Sequence, residues 1–154
     1  MELRGQISQA LKDAMKERDT IRLSTLRLIS AAIKDRDIEK RAENGGEDEG
    51  VGDTEILTIL GKMVKQRHES ARAYEEGGRL ELAEKELAEI TVIEDFLPRQ
   101  LSEEESAAAI EKAIAKTGAS SIRDMGKVMG ELKGRYTGQM DFGKVGPMVK
   151  AKLA

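Results

Sequence analysis

The run Phe96-Leu97-Pro98-Arg99-Gln100-Leu101-Ser102-Glu103-Glu104-Glu105 decides how this chain is divided. Proline has no amide hydrogen to donate and pushes the residue before it out of the helical region, so a helix arriving at Leu97 must stop there. A new helix is announced at Ser102, an N-cap residue with a glutamate at Glu105, the spacing of a reciprocal capping box. The spacing therefore predicts two segments, 1–97 and 98–154. Outward from this junction, apolar residues recur every three to four positions and strict alternation is nearly absent, so both segments read as all-α.

Leu3, Ile7, Ala10, Leu11 and Ala14 mark a first helix. Asp19 caps a second, with Leu23, Leu26, Ile29 and Ile33, which fades near Arg41. The stretch 43–52 is glycine-rich and acidic, and a segment of like charges that cannot bury a core predicts a mobile loop. Asp53 is placed to cap a third helix, whose stripe is Ile56, Leu60, Met63, Val64, Ala71 and Tyr74, ended by Gly77-Gly78. The fourth carries Leu80, Ala83, Leu87, Ile90, Ile93 and Leu97, a spacing suited to an antiparallel hairpin with the third. Beyond Pro98, Ile110, Ala113 and Ile114 lie on a helix closed by Gly118. Ser120 or Ser121 is expected to cap the next (Met125, Val128, Met129, Leu132, Tyr136). Asp141 caps the last (Phe142, Val145, Val149, Leu153), in which Pro147 either introduces a kink or moves the start to about Gly146. The expected architecture is an N-terminal helical bundle or hairpin unit followed by a small three-helix C-terminal unit.

Composition narrows the chemistry. The chain has 154 residues, 39% apolar and 36% charged, with four aromatics (Tyr74, Phe96, Tyr136, Phe142), no cysteine and one histidine, His68. A disulfide scaffold, a cysteine nucleophile and a thiolate zinc site are excluded. The longest stretch free of acids and bases is Gly5–Leu11, too short to cross a bilayer. No basic start followed by an apolar run marks a secretory signal, so a cytoplasmic location is expected. Charge is unevenly spread: 16 Lys/Arg face 22 Asp/Glu up to Leu97, whereas 10 face 7 from Pro98 onward. From Gly118 to the end the balance is 7 to 3, a basic region within an acidic chain, and such asymmetry points to a polyanionic partner.

Gly126, Gly130, Gly134 and Gly138 recur at intervals of four in that basic region. On a helix they drift about 40° per step and bare one flank. Each interior glycine costs roughly 0.5–1 kcal/mol against alanine, so a close approach is expected there, either by a neighbouring helix or by a ligand. Lys127, Lys133 and Arg135 interleave with the glycines, and Lys144, Lys150 and Lys152 follow on the last helix. A bare backbone beside cations suits a phosphate backbone, which needs both proximity and counter-charge. The alternative is tight packing of two short helices beside a solvated lysine face. With two aromatics beyond Pro98, a stacking platform for single-stranded bases is not expected, so any RNA would be read by backbone shape.

The segment Asp124-Met125-Gly126-Lys127-Val128-Met129-Gly130-Glu131-Leu132-Lys133, with Gly138, Val145 and Val149-Lys150-Ala151-Lys152-Leu153, resembles the tail-domain signature of the GatB/YqeY family. Lys65-Gln66-Arg67-His68-Glu69-Ser70, Tyr74, Gly78-Arg79, Leu82-Ala83-Glu84-Lys85-Glu86, Glu89-Ile90 and Leu97-Pro98-Arg99-Gln100-Leu101-Ser102 resemble its stand-alone YqeY-like members. The resemblance covers nearly the whole chain and is weakest in the acidic loop. It implies two helical units joined near Pro98 and a tail that, in the tRNA-dependent amidotransferase B subunit, contacts the body of tRNA. It also implies an aminoacyl-tRNA synthetase or an amidotransferase component as a protein partner. By this resemblance Lys127, Lys133, Arg135, Lys144 and Lys150 are the expected tRNA backbone contacts. Arg135-Tyr136-Thr137 departs from the family, which more often has small or charged residues in place of the tyrosine.

The resemblance further implies carbon–nitrogen ligase activity with glutamine as amide donor, yet the residues argue against that activity residing in this chain. No phosphate-binding GxxxxGK[ST] loop is present, and Ser120-Ser121 lacks the glycine-rich surroundings of an amidase nucleophile. His68 has Glu69 beside it and Glu75 seven residues on, but one histidine without a second or a cysteine makes a poor metal site. The set Arg67, Glu69, Tyr74, Arg79, Glu84 and Glu86 is read as ion pairs and a tyrosine hydrogen bond that fix the hairpin register. No catalytic residue, metal or cofactor is assigned. The reading is a non-catalytic tRNA-binding module, with a helical protein-interaction module as the alternative and an amidotransferase in its own right as a third.

Overall fold

The computed structural model describes residues 2–46 and 50–154. The helices are α1 (Leu3–Glu17), α2 (Thr20–Glu43), α3 (Asp53–Glu76), α4 (Leu80–Glu94), α5 (Glu103–Thr117), α6 (Met125–Tyr136) and α7 (Phe142–Leu153), with a short 3₁₀ turn at Ile122–Asp124. No strand occurs among the described residues, and the chain is all-α. Packing resolves into two compact units, Met1–Leu97 and Pro98–Ala154.

In the first unit Leu3, Ile7 and Ala14 of α1 meet Leu26, Ile29 and Ile33 of α2, Ile56, Leu60 and Met63 of α3, and Val92 and Ile93 of α4. Each buried leucine or isoleucine contributes about 1.5–3 kcal/mol by leaving water. This core uses only the first half of α3 and the last turn of α4. Ala71, Ala83 and Ile90 are also buried but lie outside it. The remainder of α3 and α4 is therefore a two-helix arm, held by its own seam.

Several local expectations are corrected by tertiary contacts. Gly52, not Asp53, is the N-cap of α3, and the Asp53 carboxylate instead accepts from the Leu3 amide at the start of α1 (3.1 Å). An unsatisfied N–H at a helix start outcompetes the local cap because Val51 draws the connection into the core. For the expected mobile loop, Glu43 ends α2, and Gly50–Gly52 are anchored. The Arg4 guanidinium donates to both Asp37 oxygens (3.0 and 2.9 Å) and to the Val51 carbonyl (3.0 Å). The Val51 amide donates back to Asp37 (2.8 Å). Arg4, first by hydrogen bonding, holds the Asp37 carboxyl below its usual range. Gly50 adopts φ +90°, and a Cβ there would stand 3.1 Å from both Arg4 and Asp37. Residues 47–49 of that expectation lie outside the described residues.

Leu80 and Leu87 do not face the core: they are 61% and 41% exposed, because the arm has no third helix among the residues that bury it. Gly78, at φ +74°, supplies the left-handed residue that ends α3.

In the second unit Ala109, Ile110 and Ala113 of α5 pack with Val128 and Leu132 of α6, Val145, Val149 and Leu153 of α7, and Met140. The capping box at Ser102 and Glu105 is present, and Gly118 closes α5 at φ +68°. Neither Ser120 nor Ser121 caps α6 through its hydroxyl. The Asp124 carboxylate instead accepts from the Ser120 amide (3.0 Å), folding the 3₁₀ turn back on itself. Asp141 caps α7 through the Gly143 amide (2.9 Å), and the helix runs unbroken through Pro147 from Phe142, so Pro147 does not move its start.

Candidate functional site

The glycine flank is a consequence of how α6 presents its faces. Val128 and Leu132 are fully buried, and Met125, Met129 and Tyr136 pack against the same core. At 100° per residue, Gly126, Gly130 and Gly134 then fall on the opposite side of the helix. All three are exposed, and a Cβ added at any of them would meet nothing within 4 Å. The expected close approach is therefore not made by a described helix of this unit. Gly138 does not belong to the stripe: α6 ends at Tyr136, and Gly138 sits in the following loop at φ +85°, its carbonyl accepting from the Gln100 side-chain amide. Its glycine is required by the backbone, not by a flank.

The cations sort by position around this stripe. Lys127 and Lys133 border it on its two sides. Lys133 is exposed with no ion pair among the described residues, and Lys127 approaches only Asp124, at 3.9 Å. Arg135 lies farther round, against the α5 side. Its Nε contacts Glu131 (2.9 Å), which is also held by Lys116 of α5 (2.8 Å). Lys116, foremost, lowers the Glu131 pKa, so this carboxylate is committed to a lock between α5 and α6. Lys152 is likewise used within the fold, reaching Glu111 of α5 (2.9 Å). Lys144 and Lys150 are exposed on α7 without ion pairs among the described residues. Lys150 follows Gly146 by four residues and shares its flank, and Gly146 faces Met125 of α6.

The candidate surface thus reduces to three bare glycines, Lys127 and Lys133, with Lys150 on the α6-facing side of α7. Arg123, exposed on the 3₁₀ turn and without an ion pair among the described residues, adds to the unit's free cations. Sequence spacing gives little sign of it, because the glycine period begins only at Gly126. A solvent-facing helix backbone free of side chains, bordered by lysines, admits a sugar–phosphate strand to contact distance and supplies its counter-charge.

The hairpin set is placed differently from expectation. Arg67 alone of that set forms an ion pair, and its partner is Glu89, at 2.9 Å, with both side chains nearly buried. Arg67 also donates to the Met63 carbonyl (3.2 Å). Glu69, Arg79, Glu84 and Glu86 make no ion pair among the described residues, and the Tyr74 ring is half-buried without a hydroxyl hydrogen bond. Glu69, Arg79 and Glu84 are exposed, whereas Tyr74 and Glu86 are half-buried on the seam side by helical spacing; among the described residues the ion pair that crosses the seam is Arg67–Glu89. Glu89 could have been found from its place four residues before Ile93 on the inward stripe of α4. Pro98 is the first residue of the second unit. His68 is exposed on α3. Among the described residues no helix is long and apolar enough to cross a membrane.

These features define an all-helical protein whose C-terminal unit presents a bare, cation-bordered helix flank. Residues 4–153 match the family of Yqey-like proteins, and the chain belongs to that family. It is similar to Altered inheritance of mitochondria protein 41, mitochondrial, of Clavispora lusitaniae, at 34% identity over 87 residues, 56% of this chain and 46% of the relative. The protein of the same name from Kluyveromyces lactis is 28% identical over 58% of this chain and 45% of its own length. An uncharacterized protein of Schizosaccharomyces pombe is 30% identical over 65% of this chain and 76% of its own length. The chain spans about half the length of the first two relatives.

Proposed function

We propose that the C-terminal unit holds folded RNA, a tRNA in the reading favoured by the resemblance to amidotransferase tails, through its phosphate backbone and without making or breaking a bond. The observation that carries this is the open flank of α6. A Cβ added at Gly126, Gly130 or Gly134 would meet no atom beyond its own helix turn within 4 Å, and lysines stand on either side. Gly130, in the middle of the helix, costs roughly 0.5–1 kcal/mol against alanine, with smaller costs from Gly126 and Gly134 in the end turns, and no packing partner among the described residues offsets them. An aminoacyl-tRNA synthetase or an amidotransferase component is the protein partner of this proposal. The cytoplasmic setting expected from composition and the mitochondrial one in the relatives' names both contain the ligand.

The test is binding of purified tRNA across a salt series. Neutralising about four phosphates gives a logarithmic slope near −3 to −4. Lys127→Glu combined with Lys133→Glu removes most of the affinity and leaves the helical circular dichroism unchanged, since both side chains are exposed. Unaltered affinity in the double variant, or no retention of tRNA at low salt, refutes the proposal.

A further inference from the structure

The α3–α4 arm carries an exposed helix face whose chemistry selects a partner. Leu80 and Leu87, 61% and 41% exposed, are two turns apart and lie on one flank of α4. Glu84, Thr91 and Glu94 fall within about 40° of Leu80 around the helix and are also exposed. Neither carboxylate makes an ion pair among the described residues, and no lysine or arginine shares the flank. Arg79 lies about 100° away and Lys85 about 140° away.

Leucines seven residues apart on an exposed helix are half of a helix–helix seam. Within the arm, Ala83 and Ile90 already fill the seam with α3, so these leucines serve no packing there. An added helix lying beside α4 would bury both. Glu84 and Glu94 state its charge: a partner with lysine or arginine flanking its apolar anchors gains attraction, and one with carboxylates is repelled. We infer that this face of α4 is a docking site for an amphipathic, cation-bearing helix of another polypeptide. The site is separate from the α6 flank and does not depend on the RNA reading.

The experiment titrates the full chain, at about 0.15 M salt, with a synthetic helical peptide of about 18 residues. The peptide has leucines at every third and fourth position and lysines between. A second peptide carries glutamates in place of the lysines. Expected results are binding of the lysine peptide, no binding of the glutamate peptide, and about tenfold weaker binding by both Leu80→Ser/Leu87→Ser and Glu84→Lys. Glu17→Lys, an exposed change on α1, leaves the affinity unaltered. All the substituted residues are exposed, so melting curves should match the unsubstituted chain. Three results overturn the inference. One is equal affinity in every variant, the mark of general attraction to an acidic protein. Another is equal binding of the two peptides. The last is a dimer in sedimentation that Leu80→Ser/Leu87→Ser dissolves, which would make the occupant a second copy of this chain.

Discussion

Arg67 on α3 and Lys133 on α6 are both cations on amphipathic helices, yet the two units use them in opposite ways. Arg67 stands four residues after Met63 and four before Ala71, on the stripe that faces α4, and is turned inward onto Glu89. Lys133 directly follows the buried Leu132 but borders the bare flank, and it remains in solvent. The first cation is structural because folding removes it from water with its partner; the second is available because folding leaves it alone. Net charge does not distinguish them, and position relative to the buried stripe does.

The largest expected effect tests the inward half of this contrast. Glu89→Ala strands the Arg67 charge in a nearly dry seam and should cost about 3–5 kcal/mol. Glu89→Leu with Arg67→Met should restore most of it, as read from urea unfolding. Loss of the same size in both would show that packing, not charge, dominates there.

A smaller effect concerns the start of the second unit. Arg99, hydrogen-bonded to both oxygens of Glu105 (2.9 and 2.7 Å), and then the Ser102 amide lower this carboxyl from 4.5 to about 2. A depressed folded-state pKa means the contribution is complete above pH 4.5 and disappears as pH falls toward 2. Thermal melts between these limits should therefore shift less in Glu105→Gln than in the unsubstituted chain. Ser102→Ala, which removes the cap, should cost about 1 kcal/mol at neutral pH.

The smallest change in stability sharpens the outward half. Gly130→Ala has room for its methyl and should stabilise α6 by roughly 0.5–1 kcal/mol, measured by chemical denaturation. The same change narrows the approach of a phosphate strand, so the proposed RNA affinity should fall while stability rises. A substitution that improved both would remove the reason for glycine at that position.

What could be read from sequence was what neighbouring residues decide. The helix stripes, the Asp19 and Asp141 caps, the capping box and the end at Gly118 depend on residues within a turn or two. The misread features depend on partners far along the chain. Asp53 serves a helix that begins fifty residues earlier. Arg67 pairs with Glu89 rather than with Glu84 or Glu86 across the arm. The candidate surface was legible as a composition of glycine and lysine, but its membership was not. Arg135 and Lys152 are diverted by Glu131 and Glu111, and Gly138 lies beyond the helix.

The carboxylate of Asp53 belongs to the first turn of α3 while satisfying the amide that opens α1, so one anion sits between two positive helix poles. Helix α1 therefore does not fray as an independent unit. If α1 peels away, α3 loses a compensating charge contact at its origin and Arg4 releases Asp37 and Val51 together, so the breach spreads to the heart of the bundle rather than stopping at the chain's edge.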